Sequence, residues 1–128
     1  MQVNDFSGIW QSHYKYHSDS RESDFEDKHF VRIYQHNNKL VVESLPDVND
    51  SYLIMNLKIN DNLATGTWQE TTNPNGYYKG TTYHGAMQLV IDPSGKSMQG
   101  KWLGSGKKGQ MNVGPLDIKY VGKSLPKS

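Results

Sequence analysis

Residues 63–102 read LATGTWQETTNPNGYYKGTTYHGAMQLVIDPSGKSMQGKW, and this stretch decides the fold. Two segments in it, Asn73-Pro-Asn-Gly76 and Asp92-Pro-Ser-Gly95, supply the fixed-φ proline and positive-φ glycine that tight turns require. The segments around them are rich in threonine, aromatic and branched aliphatic residues, which favours strands over helices. The stretch therefore predicts three antiparallel strands joined by two short hairpins.

The remainder of the chain continues this pattern of strands and turns. Further strands are predicted at residues 7–16, 28–35, 40–45, 51–59 and 110–121. The acidic stretch at 18–27 has no period and is predicted to be a long loop, either a lid over one end or disordered. A meander of about eight strands protects its edges most simply by closing on itself. The prediction is therefore an all-β fold, a closed antiparallel meander barrel, because a sandwich would need longer crossing loops.

Length and composition define one domain and exclude several classes of protein. The chain of 128 residues is predicted to be a single domain, with the barrel at about 6–121 and a flexible tail at 122–128. A net charge of +1 gives no field that would recruit nucleic acid, and the absence of cysteine excludes disulfides. The sequence shows no secretion signal and no run of roughly 18 apolar residues that would span a membrane. We therefore expect a cytoplasmic protein.

Three Gly-x-Trp triplets, which end at Trp10, Trp68 and Trp102, lie on separate predicted strands. Such a triplet on the first strand of an antiparallel meander resembles the calycin group of lipocalins, fatty-acid-binding proteins and avidins. Its recurrence, together with the short hairpins, looks more like the avidin-type barrel. The chain lacks a lipocalin's disulfide cysteines and C-terminal helix.

The run from Gly66 through Tyr83-His84-Gly85-Ala to Trp102 also resembles small barrel modules of bacterial regulatory and anti-phage defence proteins, some of which sense cyclic nucleotides. The resemblance implies a bacterial or phage module that binds a small ligand inside a barrel. No cofactor is predicted.

Alternate residues of a barrel strand face the interior, which selects the candidate ligand contacts. An inward Trp10 brings Tyr14 with it, and an inward Trp68 brings Glu70. Two interior sets remain open for the strand at 77–91, because a bulge at Gly85 could exchange them. They are Tyr77, Tyr83, Met87 and Leu89, or Tyr78, Thr82, His84 and Gln88.

An interior lined by aromatic rings and a few polar groups suits a planar polar ligand, such as a nucleotide-like signal or a cyclic nucleotide. The predicted ligand-binding residues are Tyr14, Trp68, Glu70, Tyr83, His84, Gln88 and Trp102. Lys107 and Lys108 would neutralise a ligand phosphate at the barrel mouth.

The leading prediction is a non-enzymatic binding protein that senses or sequesters its ligand, with no catalytic residue. One alternative is a barrel isomerase or cyclase in which Glu70 and His84 act as acid and base and Tyr83 donates a proton. The other is an interaction or homo-oligomerisation module that uses the outer face of the barrel. No metal site is predicted, because the imidazoles of His13 and His17 would not converge from a strand.

Overall fold

The chain folds into one β-sheet that closes on itself. The computed structural model describes residues 5–18, 23–46, 51–72, 74–75, 80–106 and 109–124. Its strands are β1 (Gly8–Ser18), β2 (Ser23–His36), β3 (Lys39–Ser44), β4 (Tyr52–Asn60), β5 (Leu63–Thr71), β6 (Thr82–Ile91), β7 (Ser97–Ser105) and β8 (Met111–Gly122). Each strand is antiparallel to the next, and β8 pairs with β1. The predicted all-β, closed meander barrel of eight strands is confirmed. None of the residues in these ranges forms a helix that could cross a membrane.

The two ends of the barrel differ in their connections. At one end, here called the turn end, β2–β3, β4–β5 and β6–β7 are joined by short turns. Asn37, Asp61 and Gly95 adopt φ angles of 54°, 55° and 72° in these turns, which the sequence predicts from its Asn, Asp and Gly residues. The other end, here called the site end, carries the connections β1–β2, β3–β4, β5–β6 and β7–β8.

Trp10 closes the interior at the turn end. Its side chain is 1% exposed, and its Nε1 donates a hydrogen bond of 2.8 Å to the carbonyl oxygen of Phe6. Its ring packs edge-on against Tyr120, with the centroids 5.5 Å apart. The first Gly-x-Trp triplet therefore supplies a core residue that seals this end.

Apolar side chains fill the centre of the barrel. The largest of them, each less than 2% exposed, are Ile33, Leu40, Met55, Leu89, Met98 and Ile118. Burying one such side chain contributes about 1.5–3 kcal/mol to folding. Because the turn end and the centre are filled in this way, an interior ligand site must lie towards the site end.

The acidic stretch is only partly a connection. β1 ends at Ser18 and β2 begins at Ser23, so the prediction of a loop over 18–27 is wrong for residues 18 and 23–27, and residues 19–22 lie outside the described residues. Glu26 lies opposite Lys15 on β1 and also contacts His13, with 2.9 Å between Oε2 and Nε2. The pairing of Glu26 with the oppositely charged Lys15 on the outer face of β1 and β2 helps to explain why this acidic segment forms a strand.

The interior set of β6 is Tyr83, Met87 and Leu89. β6 pairs with β5 in one unbroken register through Gly85, so no bulge exchanges the two faces. Met87 and Leu89 are 4% and 0% exposed, and their burial holds the strand in this orientation. Tyr77 and Tyr78 lie outside the described residues, as do Lys107, Lys108 and residues 125–128 of the predicted tail.

Candidate functional site

The interior of the barrel becomes polar at the site end. Tyr14 projects inward from β1, Asp27 and His29 from β2, and Glu70 from β5. Each lies at an inward position set by the two-residue period of its strand, as Glu70 follows Trp68. These four side chains, here called the polar cluster, meet above the apolar centre.

The Tyr14 hydroxyl is the meeting point of the polar cluster. Tyr14 Oη donates a hydrogen bond of 2.8 Å to Glu70 Oε2, and it lies 3.2 Å from Asp27 Oδ2. His29 Nε2 lies 3.4 Å from Tyr14 Oη and 3.7 Å from Glu70 Oε2. The ring of His29 also stacks on the ring of Tyr14, with the centroids 5.9 Å apart and the planes at 17°. The four groups therefore form one connected network across the interior.

The electrostatics of the cluster keep Tyr14 protonated. Burial raises the pKa of the Tyr14 hydroxyl well above 10.0, and the carboxylates of Glu70 and Asp27 raise it further. A phenol has a single hydrogen to donate, whereas the carboxylates of Asp27 and Glu70 both accept from the Tyr14 hydroxyl. The network is therefore rich in acceptors, and it favours a ligand that brings hydrogen-bond donors or positive charge.

Three members of the polar cluster, Tyr14, Asp27 and Glu70, are partly exposed, whereas His29 is buried. The side chain of His29 is 1% exposed, whereas that of Glu70 is 15% exposed. An entering ligand would therefore meet the Glu70 carboxylate before it met the imidazole.

Trp68 and Trp102 line the wall beside the cluster. Their rings meet edge to face, with the centroids 5.8 Å apart and the planes at 89°. Trp68 Nε1 donates to the carbonyl oxygen of Leu103, and Trp102 Nε1 donates to that of Lys15, each at 3.1 Å. Each indole therefore extends past the neighbouring strand, and its N–H group is hydrogen-bonded to the strand beyond it. The ring itself stays partly exposed.

Glycines make room for these two rings. A Cβ atom on Gly85 or Gly104 would lie 2.5 Å from the ring of Trp68, and one on Gly114 would lie 2.7 Å from Nε1 of Trp102. The indoles consequently lie over bare backbone on β6, β7 and β8. This arrangement gives the wall a rigid aromatic surface instead of mobile side chains.

The predicted site residues divide between the two faces of the sheet. Tyr14 and Glu70 meet in the polar cluster, Trp68 and Trp102 line the wall, and Tyr83 faces the interior opposite Glu70 in the register. His84 and Gln88 lie on the outer face and are exposed, and Gln88 Nε2 donates a hydrogen bond of 3.1 Å to Thr65 Oγ1 there. Any ligand that these two residues contacted would have to bind outside the barrel.

The outward position of His84 also removes the acid–base pair of the enzymatic alternative. His84 is opposite Gln69 in the register, one position away from Glu70, so the sheet separates its imidazole from the Glu70 carboxylate. His29, not His84, is the histidine next to Glu70.

Sequence reasoning missed Asp27 and His29. Asp27 was included in the predicted acidic loop, and His29 lay unmarked at the start of a predicted strand. The signal that identifies both is the alternation of Asp27, His29, Val31 and Ile33 along one face of β2. The register then places Asp27 opposite Tyr14 and His29 opposite Ser12.

Ser12 adds a further polar group to the interior. It is 0% exposed, and its Oγ has no hydrogen-bond partner among the residues that the structure describes. Because it lies opposite His29 and two residues before Tyr14, its hydroxyl belongs to the layer directly beneath the polar cluster.

Comparison with known proteins adds no closer assignment. No family model matches the chain, and no curated protein is detectably similar to it. The closed eight-stranded antiparallel meander is consistent with a calycin-like barrel in general.

Proposed function

We propose that this protein binds a small molecule at the site end of the barrel and acts as a sensor or a sequestering protein. The polar cluster is the observation that carries the proposal. The cluster brings two carboxylates, an imidazole and a phenol together inside the barrel. Apolar side chains would fill the same space without the free-energy penalty of desolvating polar groups. A buried titratable group with a perturbed pKa, such as Tyr14, gathered with other polar groups in the interior of a barrel is typical of a functional site.

The chemistry of the cluster supports a planar ligand with hydrogen-bond donors on one edge. The carboxylates of Asp27 and Glu70 accept such donors, and the partly exposed rings of Trp68 and Trp102 offer faces for stacking. Stacking of a base on an aromatic side chain contributes about 1–3 kcal/mol. An amino-bearing nucleobase has both properties, so a nucleotide-like signal, including a cyclic nucleotide, fits the proposal.

The same charges set the orientation of such a ligand. A phosphate beside Asp27 and Glu70 would suffer repulsion, so we expect the base to enter first and the phosphate to remain outside the mouth. The likeness of the sequence to avidin-type barrels, and to bacterial modules that sense cyclic nucleotides, supports the same proposal.

Native mass spectrometry of the purified full chain, followed by thermal-shift measurements with the ligand it identifies, tests this function. Glu70→Gln keeps the shape of the side chain but removes its charge, and we expect it to weaken binding about 10–100-fold. Gln88→Ala, on the outer face of the neighbouring strand, is the matched control and should bind as the parent does.

Two results would contradict the proposal. One is a protein that carries no ligand and responds to none in a panel of nucleotides and amino-bearing heterocycles. The other is a ligand whose affinity falls with Gln88→Ala and not with Glu70→Gln, because that ligand would bind outside the barrel.

A second candidate function rests on the outer face of β7 and β8. Leu103, Met111 and Val113 are 42%, 62% and 64% exposed, and Leu103 and Val113 are paired across the two strands. Exposed apolar neighbours of this kind are found at interaction surfaces. Light scattering after size exclusion tests self-association: Val113→Lys should reduce the mass of an oligomer, and a monomeric parent would exclude this use of the face.

A further inference from the structure

We propose that Asp27, His29 and Glu70 form a binding site for a divalent transition-metal ion such as Zn²⁺, with the Tyr14 hydroxyl as an outer partner that donates to the carboxylate ligands. One ligand atom from each of the first three residues lies within 4.8 Å of the others. Imidazole nitrogen and carboxylate oxygen are usual ligands of Zn²⁺. Zinc sites that bind small molecules also have three protein ligands and leave a further coordination position open.

The separations within the cluster match the size of such a site. Bonds of 2.0–2.1 Å in a tetrahedral site place the ligand atoms about 3.4 Å apart. The Tyr14 hydroxyl holds the three ligand atoms at one point of the interior, because Oη lies 2.8, 3.2 and 3.4 Å from Glu70 Oε2, Asp27 Oδ2 and His29 Nε2. The separation of His29 Nε2 from Glu70 Oε2 is 3.7 Å. All three ligand atoms lie within 4.8 Å of one another, so an ion would bind by drawing their side chains closer together.

The charges in the cluster also favour a cation. Asp27 and Glu70 both direct an oxygen at one phenol hydroxyl, whose single hydrogen cannot serve both fully. A divalent ion between the two carboxylates would neutralise them in a site where burial makes their repulsion costly.

The hydroxyl of Ser12 is an independent sign of a ligand at this position. It is fully buried, it lies opposite His29 in the register, and its Oγ has no hydrogen-bond partner in the described part of the chain. Buried hydroxyls are normally paired, so one of this kind beside the cluster points to a bound group such as a metal-bound water. It would then act as an outer partner that orients the ion's ligands.

A second histidine with two carboxylates provides a natural comparison. His13 on the outer face contacts Glu26 through Nε2, at 2.9 Å, and Asp117 through Nδ1, at 3.4 Å. Its carboxylates lie at opposite edges of the ring and cannot converge on one ion. The two sites share a residue composition, and only the interior one has the geometry to bind a metal.

The inference goes beyond the proposed function, because it assigns an ion and does not depend on the identity of an organic ligand. A bound ion would form the floor of the site, and its open position would face the mouth beside Trp68 and Trp102.

Calorimetric titration of the chelator-treated full chain with Zn²⁺ alone tests the site. We expect one Zn²⁺ to bind per chain, and expect Glu70→Gln and His29→Gln each to weaken binding at least tenfold. His13→Gln is the matched control and should bind Zn²⁺ as the parent does. The melting temperature of each variant shows that it is folded before it is titrated.

Co²⁺ gives a second measurement that needs no variant. The parent chain should develop the intense visible absorption of tetrahedral Co²⁺, and Zn²⁺ should abolish it by competition. Absence of saturable Zn²⁺ binding, or binding lost in His13→Gln and kept in Glu70→Gln, would overturn the proposal. Because no organic ligand is present, this outcome would leave the proposed ligand-binding function to its own test.

Discussion

Tyr14 and Glu70 are joined by a hydrogen bond of 2.8 Å although their strands stand on opposite sides of the barrel. Three strands separate β1 from β5 in either direction around the sheet. The bond therefore spans the interior and ties the two halves of the wall together at the site end.

Replacement of Tyr14 by Phe should lower the free energy of unfolding by about 1–3 kcal/mol. The change removes the hydrogen that the carboxylates of Glu70 and Asp27 both accept, and it leaves them less well paired in a largely buried site. Urea denaturation, with the midpoint and slope compared between the two proteins, measures the difference.

Tyr34→Phe is the control for this prediction. Tyr34 is 52% exposed on the outer face of β2, so loss of its hydroxyl should change stability by less than about 0.5 kcal/mol. A double-mutant cycle of Tyr14→Phe with Glu70→Gln should show a coupling energy of at least about 0.5 kcal/mol. Additive effects would mean that the cross-barrel bond contributes nothing to stability.

The architecture could be predicted from sequence because its signals are local. Turn residues such as Asn37, Asp61 and Gly95 lie at the positions where the chain reverses direction between strands. The alternation from Trp10 to Tyr14, and from Trp68 to Glu70, likewise identified inward positions without any knowledge of the closed sheet.

The composition of the polar cluster could not be predicted, because it depends on closure of the barrel. Asp27 stands in an acidic run whose composition resembles a solvated loop, and only its pairing with Tyr14 reveals it as an inward residue. The orientation of β6 depends in the same way on tertiary packing. Gly85 could have hosted a bulge, and the burial of Met87 and Leu89 decides against it.

Gly85→Ala should destabilise the barrel by at least about 1–3 kcal/mol, the usual cost of overpacking a filled interior. The added Cβ would lie 2.5 Å from the ring of Trp68 and would also meet the carbonyl oxygen of Leu103, which accepts the hydrogen bond of that indole. Thermal denaturation should show the loss of stability, and a shift of tryptophan emission should show that Trp68 has moved.

Gly122→Ala separates this steric effect from the general effect of replacing glycine in a strand. Its nearest contact to an added Cβ is the carbonyl oxygen of Ser124 at 3.6 Å, an ordinary van der Waals distance. This variant should unfold at nearly the parent temperature. Equal destabilisation by the two changes would show that Trp68 does not need the bare backbone of Gly85.

Leu89→Ala should lower the free energy of unfolding by about 2–5 kcal/mol, because it opens a cavity in the filled centre of the barrel. Leu89 is 0% exposed and is surrounded by other buried side chains. Val90→Ala is the adjacent comparison, since Val90 is 47% exposed on the outer face. A loss in Leu89→Ala no greater than that in Val90→Ala would contradict the filled interior.

The turn between β6 and β7 should show a dependence on acid pH. Hydrogen bonds from the side chain and the backbone amide of Ser94 hold the pKa of Asp92 below its ordinary value of 3.8. A depressed folded-state pKa stabilises the fold above the unfolded pKa, and this contribution disappears as the pH falls through the folded pKa. NMR titration of the carboxyl group should therefore give a pKa below 3.8 for Asp92 and a higher one in Ser94→Ala. Asp92→Asn should remove this component of the acid sensitivity. An unchanged pKa of Asp92 in Ser94→Ala would show that the Ser94 side chain does not lower it.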